Sequence, residues 1–394
     1  MDNLECLVKD GELYIKLKGH IDSNNAPQIE EKLLSLCDQN PDCKIVIDCE
    51  GLKYISSAGL RVILKLKKKN SETVLINVSS DVYEIFDMTG FTQMLDVRKA
   101  FKTISVKGCE VIGSGANGKV YRIDNETIVK TFMDANALQD IERERQLART
   151  AFVLGVPTAI SYDVVKIEGG GYGSVYELLK ATNFASMLVK KEKSIDELAK
   201  MSVELLKTIH SKEVDPASMP SMKERALDWV AFLKDYLDKD VYEKLFKLVS
   251  DIPEDNHMIH GDFHLKNIMF QDGEALLIDM DTICHGNPIF EFSFIYNAYL
   301  GFSDVDHNVV KDFIGITYEQ AGEYWKKLLQ YYFEGKDDSY LETVQEKAMV
   351  MGFVRLLRRE IRRDGLNSES GRKFIENAKR HISELVPKLD TLVF

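Results

Sequence analysis

The stretch that most restricts this chain is His260-Gly261-Asp262-Phe263-His264-Leu265-Lys266-Asn267, which follows directly on the apolar pair Met258-Ile259. Twelve residues after Asn267, Asp279 closes the apolar run Leu276-Leu277-Ile278, and Asp281 stands two positions further on. Short buried strands must therefore end in polar turns that carry three aspartates and an asparagine. Two neighbouring carboxylates at a strand end repel one another unless a cation lies between them. Mg2+ takes one or two carboxylates together with phosphate oxygens from a substrate, which matches this donor set. Asp279 is the expected chief metal ligand, Asn267 a second one through its side-chain oxygen, and Asp281 an auxiliary group.

Composition narrows the setting. The 394 residues suggest two or three domains at ~150 residues each. Apolar residues make up 45% and charged residues 29%, which excludes wholesale disorder. A net charge of −12 argues against nucleic acid as the partner while leaving room for a local basic pocket. No apolar run approaches the ~20 residues that cross a bilayer, and the first residues alternate charged and apolar types, unlike a signal peptide. The chain is expected in the cytoplasm, with no membrane partner. The cysteines, Cys6, Cys37, Cys43, Cys49, Cys109 and Cys284, form no C-x-x-C pair and no zinc spacing, so reduced, mostly buried thiols are expected.

The first ~105 residues alternate strand and helix patterns, the signature of an α/β unit. Leu13, Ile15 and Leu17 alternate with polar residues. Ala26 to Leu36 reads as a helix with Pro27 in its first turn, Lys44 to Asp48 as a strand, Ser57 to Leu66 as a helix, Thr73 to Val78 as a strand, and Val82 to Met88 as a helix closed by Gly90. Ser56 and Ser57 stand at a helix start, where exposed N–H groups and the helix dipole favour an anion. A serine there can cap the helix or carry a phosphate. The segments GHIDSNNA, KIVIDCEGLKYISSAGLRVIL and VYEIFDMTGF, in that order, resemble the STAS domain of bacterial anti-sigma factor antagonists over residues 4–105. The resemblance implies a four- to five-stranded sheet backed by helices on one face. It also implies a partner such as an anti-sigma factor or other regulatory protein, and a phosphorylatable serine at Ser57. Ser56 stands where that family usually has Asp.

A second unit begins near Gly108, with no Pro/Gly/Ser linker before it. Residues 108–180 read as strands, one helix over Ala137 to Phe152, and a hairpin at Gly169–Gly171; residues 181–394 are mainly helical, over 194–211, 225–250, 288–300, 317–333, 338–364 and 371–387. Gly113, Gly115 and Gly118 form a G-x-G-x-x-G run followed by a strand, which favours a hairpin loop lying over phosphates. Lys130, in the strand Ile128–Phe132, needs a partner. Glu144 is the first choice and Glu142 the alternate, so that the ammonium can meet the phosphates. The five-residue spacing of Asp262 and Asn267 is that of a phosphotransfer catalytic loop, with Asp262 receiving or aligning a hydroxyl proton and His260 and His264 bracing the loop.

Together these features resemble the aminoglycoside phosphotransferase and choline kinase group over residues 108–390. The fold class is thus an α/β STAS domain plus an α+β bilobal protein-kinase-like domain. The resemblance implies ATP and Mg2+ as cofactors and a hinge at Glu177 to Leu179 whose backbone meets adenine. Gly261 in place of the usual Arg, and only nine residues from Asp279 to Pro288, favour a small-molecule hydroxyl acceptor over a protein. The alternative is a sigma-network regulator whose kinase-like half senses ATP or phosphorylates Ser57 or a partner protein. Glu291, Tyr296 and Tyr299 lie on one helix and could form an acidic wall for a cationic acceptor, although Glu291 also suits a structural role. Arg355, Arg358, Arg359, Arg362 and Arg363 form the one basic cluster: a solvated helix face, or a surface for an anionic substrate or for the N-terminal domain.

Overall fold

The computed structural model describes residues 4–9, 11–115, 118–132, 134 and 137–394. The chain forms two compact units. The first is Met1–Lys107 with Val164–Gly173, the second Gly108–Asp163 with Ser174–Phe394.

The first unit runs β1 (Leu4–Lys9), β2 (Glu12–Ile21), α1 (Ala26–Gln39), β3 (Lys44–Ile55), α2 (Ser57–Lys69), β4 (Val74–Val78), α3 (Ser80–Met88), α4 (Phe91–Met94) and β5 (Asp96–Lys99). The sheet order is β1-β2-β3-β4-β5, with β1 antiparallel to β2 and the other pairs parallel. The alternation in β2 sends Leu13, Ile15 and Leu17 into the core, where Ile29 and Leu33 of α1 and Leu60, Ile63 and Leu66 of α2 are also buried. Helix α2 lies so close to the sheet that a Cβ on Gly59 would come 2.6 Å from Ile55 and 2.7 Å from Ile21, so only glycine fits. A further strand, β6 (Lys102–Ile104), pairs in parallel with residues 165–167.

The second unit opens with β7 (Glu110–Ser114), β8 (Gly118–Arg122) and β9 (Thr127–Phe132), an antiparallel meander. Helix α5 (Leu138–Val153) follows; after β10 (Asp163–Ile167), which from Val164 on belongs to the first unit, comes β11 (Tyr172–Glu177), which lies beside β9. Then come β12 (Thr182–Asn183), α6 (Phe184–Val189), α7 (Ile195–His210), α8 (Met222–Phe232) and α9 (Lys239–Ser250). Four short strands follow, β13 (Met258–Ile259), β14 (Ile268–Gln271), β15 (Glu274–Leu277) and β16 (Cys284–His285). The chain ends in α10 (Pro288–Tyr299), α11 (Asn308–Ile314), α12 (Tyr318–Tyr332), α13 (Asp338–Arg362) and α14 (Glu369–Leu385).

The helix expected over 225–250 is broken. Leu233–Asp235 tightens into a 3-10 turn, and Asp238 starts α9 afresh. Leu233 and Leu237 are both buried, so the apolar spacing runs on across a break in the backbone. β13 pairs with β16, and β14 pairs with both β12 and β15. These pairings carry the His260–Asn267 loop and the Asp279 turn to the same end of the small strands, where Ile278 N–H donates to the Asn267 carbonyl at 3.0 Å.

Candidate active site

Lys130 sits on β9 next to the buried Val129. Its Nζ lies 3.0 and 3.3 Å from the two carboxylate oxygens of Glu144 and 2.5 Å from Asp279 Oδ1. Glu144 faces inward from α5, only 4% exposed, and also accepts the Tyr176 hydroxyl at 3.3 Å. Burial opposes the ammonium charge, but the Glu144 and Asp279 carboxylates outweigh it and hold the Lys130 pKa well above the ordinary lysine value. Glu142 pairs instead with Arg145 at 3.4 Å, so of the two glutamates left open by spacing it is Glu144 that meets the lysine.

Asp279 takes a left-handed backbone, φ 65° and ψ 64°. Side-chain-bearing residues seldom adopt it, and such strain gathers at functional sites. Burial and the neighbouring Asp279 charge push the Asp281 carboxyl up to about 7.

The His260–Asn267 loop is braced from below. Glu291, fully buried on α10, accepts the amides of His260 and Gly261, the latter at 3.0 Å. Thr282 donates its hydroxyl to the His260 carbonyl at 2.8 Å, and Tyr299 accepts the Leu265 amide at 3.0 Å. Gly261 has φ +81°, and a Cβ there would meet the Thr282 carbonyl oxygen at 2.8 Å, so the position has no room for a side chain. Asn267 donates Nδ2 to the Asp262 carbonyl at 3.0 Å and to Oδ2 at 3.4 Å. Burial raises the Asp262 pKa, but the His264 contact at 3.5 Å and the charge of Arg355 hold it at about 2. Asp262 is therefore an ionised carboxylate throughout the physiological range. His260 is buried and its Nδ1 accepts the Asp262 amide at 3.3 Å, a bracing role.

The glycine run is split in purpose. Gly115 N–H bonds the Gly118 carbonyl at 3.0 Å and closes the β7–β8 hairpin, whose tip, Ala116-Asn117, lies outside the described residues. A Cβ on Gly118 would fall 1.8 Å from the Thr131 carbonyl oxygen, so this glycine is demanded by the approach of β9. Gly113 has only the Val120 side chain near its missing Cβ, at 3.5 Å, and Gly115 has open space. At the end of β11, the Leu178 amide is spent on the Glu126 carbonyl at 2.7 Å, between Glu177 and Leu179.

Among the described residues no group of three or more His, Cys, Asp or Glu side chains is arranged to hold a metal ion. The donor set instead suits a cation that brings further oxygen ligands with it: Asn267 and Asp279, with Asp281 beside them. The proton that Asp281 keeps up to about pH 7 marks an excess of negative charge that such a cation would relieve.

Two expectations are corrected. Glu291, Tyr296 and Tyr299 form no acceptor wall, because all three are buried in a helix that is enclosed on every side. The arginine cluster is only in part a solvated face: Arg362 and Arg363 are exposed, whereas Arg355, Arg358 and Arg359 are half-buried against aromatic rings. Arg355 lies 4.1 Å over the Phe294 ring, Arg358 lies 5.7 Å from Trp229, and Arg359 lies 4.6 Å from Phe302. Arg355 also donates to the Gly261 carbonyl at 3.3 Å, a contact 94 residues distant that no local pattern announces. Tyr176 was likewise missed, since its contact with Glu144 depends on the pairing of β11 beside β9.

In the first unit, Ser56 is the N-cap of α2, its hydroxyl accepting the Gly59 amide at 3.4 Å. Ser57 opens the helix and is exposed. A cavity of about 420 Å³ between α1 and α2 lies beside it, lined in part by Pro27, Glu31, Ala58, Arg61 and Lys65. Among the described residues no helix is long and apolar enough to cross a membrane.

A profile described as "Phosphotransferase enzyme family" matches residues 108–324. The chain belongs to that family. A profile described as "STAS domain" matches residues 3–106, so this phosphotransferase carries a STAS domain ahead of its kinase-like part. BtrV of Bordetella bronchiseptica, assigned as an anti-sigma factor antagonist, is 37% identical over 105 residues, 24% of this chain and 90% of BtrV. The anti-sigma-B factor antagonist of Bacillus subtilis is 28% identical over 99 residues, 24% of this chain and 89% of that protein. Among solved structures, a thermostable mutant of aminoglycoside phosphotransferase APH(4)-Ia, in ternary complex with ADP and hygromycin B, is similar in fold. Its TM-score is 0.50 at 11% identity, covering 72% of this chain and 94% of that one.

Proposed function

We propose that the second unit transfers the γ-phosphoryl group of ATP to the hydroxyl of a small molecule. The observation that carries this reading is Lys130 held at once by Glu144 and Asp279, next to a loop that presents Asp262 and Asn267. Glu144 fixes the ammonium so that it can meet the α- and β-phosphates, and the β7–β8 hairpin covers them. The Glu177 carbonyl and Leu179 amide, on either side of the spent Leu178 amide, are the hinge groups for adenine. Asn267 and Asp279 would hold Mg2+, which when bound neutralises charge on the phosphate oxygens. The acceptor oxygen forms a bond to the γ-phosphorus as the bond to the β,γ-bridging oxygen breaks, releasing ADP, while the hydroxyl proton passes to Asp262. With its pKa near 2, Asp262 is a weak base. Its main work is to align the hydroxyl, and it takes the proton late, as suits a loose transition state.

The eight residues between Asp279 and Pro288 leave little chain to bind a protein substrate, which supports a small acceptor. The test is ADP release from Mg·ATP across a panel of hydroxylated metabolites, amino sugars and aminoglycosides. Asp262→Asn should lower turnover by about 10²–10⁴-fold while nucleotide still binds. Equal turnover in that variant would remove Asp262 from the reaction.

The STAS domain is proposed to dock a regulatory protein such as an anti-sigma factor. What supports this is the cavity beside α2 together with the relatives' roles. The exposure of Ser57, with Ser56 already capping the helix, also favours a second reading, in which the kinase-like half phosphorylates Ser57 or a partner. Mass spectrometry after incubation with ATP separates the two: a phosphate on Ser57 that is lost in Asp262→Asn supports the second reading, and an unmodified protein supports the first.

A further inference from the structure

Arg355 and Arg358 project one turn apart from α13, and Arg225 stands on the neighbouring α8. Arg355 reaches the catalytic loop through the Gly261 carbonyl and covers the Phe294 ring. Arg358 lies between the Trp229 and Phe232 rings, 5.7 and 5.9 Å from their centres. Phe232 is 38% exposed and Trp229 half-buried, so this face is open to solvent. Among the described residues, Arg359 has an ion-pair partner, Glu360 at 3.6 Å, but Arg225, Arg355 and Arg358 have no carboxylate within ion-pair distance. In a chain with 63 acidic residues against 51 basic ones, partners are plentiful, so three unpaired guanidiniums together are a pattern to explain. The anions around them do not fill the gap. Asp262 and Glu291 act on Arg355 from the catalytic loop and from α10, and Asp228 acts on Arg358 from an exposed position. Burial pulls both arginines below the usual guanidinium range, and neighbouring arginines add to it, Arg225 on Arg355 and Arg362 on Arg358. Clustered, partly desolvated like charges are costly unless an anion completes them, and a planar guanidinium fork fits carboxylate or phosphate in a two-point contact.

We propose that this arginine-and-aromatic face is the acceptor subsite, and that the acceptor is a hydroxyl compound carrying a carboxylate or phosphate group. The proposal rests on the phosphotransfer reading above and sharpens its substrate class. The acceptor hydroxyl lies at Asp262 and its anion at Arg358 and Arg225. Three residues of helix, a rise of about 4.5 Å, separate Arg355 at the loop from Arg358, so the acceptor is only a few carbons long.

The test uses the full chain. Binding of a non-hydrolysable ATP analogue with Mg2+ is measured first and on its own; if it is absent, the phosphotransfer reading falls and this proposal with it. Inorganic phosphate is then titrated by calorimetry into the loaded protein, in wild type and in Arg225→Gln and Arg358→Gln. Phosphate should bind with the nucleotide in place, and each variant should weaken it by at least about tenfold without changing nucleotide affinity. ADP release is followed with gluconate, glycerate and glucose 6-phosphate against glucosamine, kanamycin and choline. The anionic arm should turn over, and gluconate against glucose 6-phosphate tells carboxylate from phosphate. Arg358→Gln should raise the acceptor KM while leaving kcat within about twofold. Phosphate binding unaltered in both variants, or turnover confined to the cationic arm, overturns the proposal.

Discussion

Replacing Glu144 by Gln leaves Lys130 with Asp279 as its one carboxylate partner among the described residues. At 3.0 Å and an effective dielectric of about 20, the Coulomb energy of the lost pair is about 5.5 kcal/mol. Most of that offsets the cost of desolvating the two charges, and breaking a buried pair from one side typically costs ~3–5 kcal/mol net. Gln keeps the shape and can still hydrogen-bond Tyr176 and Lys130, and Asp279 stays 2.5 Å from the ammonium. The expected loss is therefore about 2–3 kcal/mol, below that range. For a unit of this size it corresponds to a melting temperature lower by about 5–10 °C. A lysine no longer held between two carboxylates should also bind Mg·ATP about 10–100-fold more weakly. Glu142→Gln is the control: its side chain is 35% exposed and pairs with Arg145 three residues on along the same helix, and the change should stay within about 0.5 kcal/mol. Thermal unfolding and calorimetry on both variants test this. If Glu144→Gln matches wild type in both assays, or if Glu142→Gln is the more damaging, the assignment of the lysine's partner is wrong.

Three other outcomes are expected. Gly118→Ala would put a methyl 1.8 Å from the Thr131 carbonyl oxygen; it should cost ~1–3 kcal/mol or more in urea unfolding and weaken ATP binding with it, because β8 pairs directly with the lysine strand. Ser56→Ala should destabilise the STAS domain by about 1 kcal/mol through loss of the cap, whereas Ser57→Ala should change it by less than about 0.5 kcal/mol; reversed values would mean that Ser57 is the capping residue. Asp281 has a folded pKa of about 7, above its ordinary 3.8, so the folded chain keeps a proton that the unfolded chain releases. Its contribution to stability is fully present below pH ~4 and is lost as pH rises through about 7. Asp281→Asn should flatten that part of the stability profile, and identical slopes in the two proteins would contradict it.

The site was legible in sequence where local spacing carries the chemistry. Asp262 and Asn267 share one loop, Asp279 ends one short strand, and Lys130 and Glu144 lie on a strand and the helix after it, so few long-range facts were needed to group them. What could not be read depends on distant packing. Arg355 meets Gly261 from a helix far along the chain, and a run of arginines spaced three and four apart looks the same whether it faces water or aromatic rings. The apolar spacing of Leu233 and Leu237 hid a break in the helix, and β1 buries no face that a pattern could mark, five of its six residues being exposed on an edge strand. One error was avoidable. Pro288–Tyr299 is apolar all round, and a helix of that kind is buried, which already argued against placing Tyr296 and Tyr299 on a substrate wall.

The most direct test is calorimetric titration of ATP into wild type and Asp279→Ala, each with and without Mg2+. Wild type should bind ATP more tightly with the metal present, and the variant should lose that gain and bind weakly in both conditions. ATP affinity in Asp279→Ala equal to wild type, with the same dependence on Mg2+, would contradict a nucleotide site built on Lys130, Asn267 and Asp279.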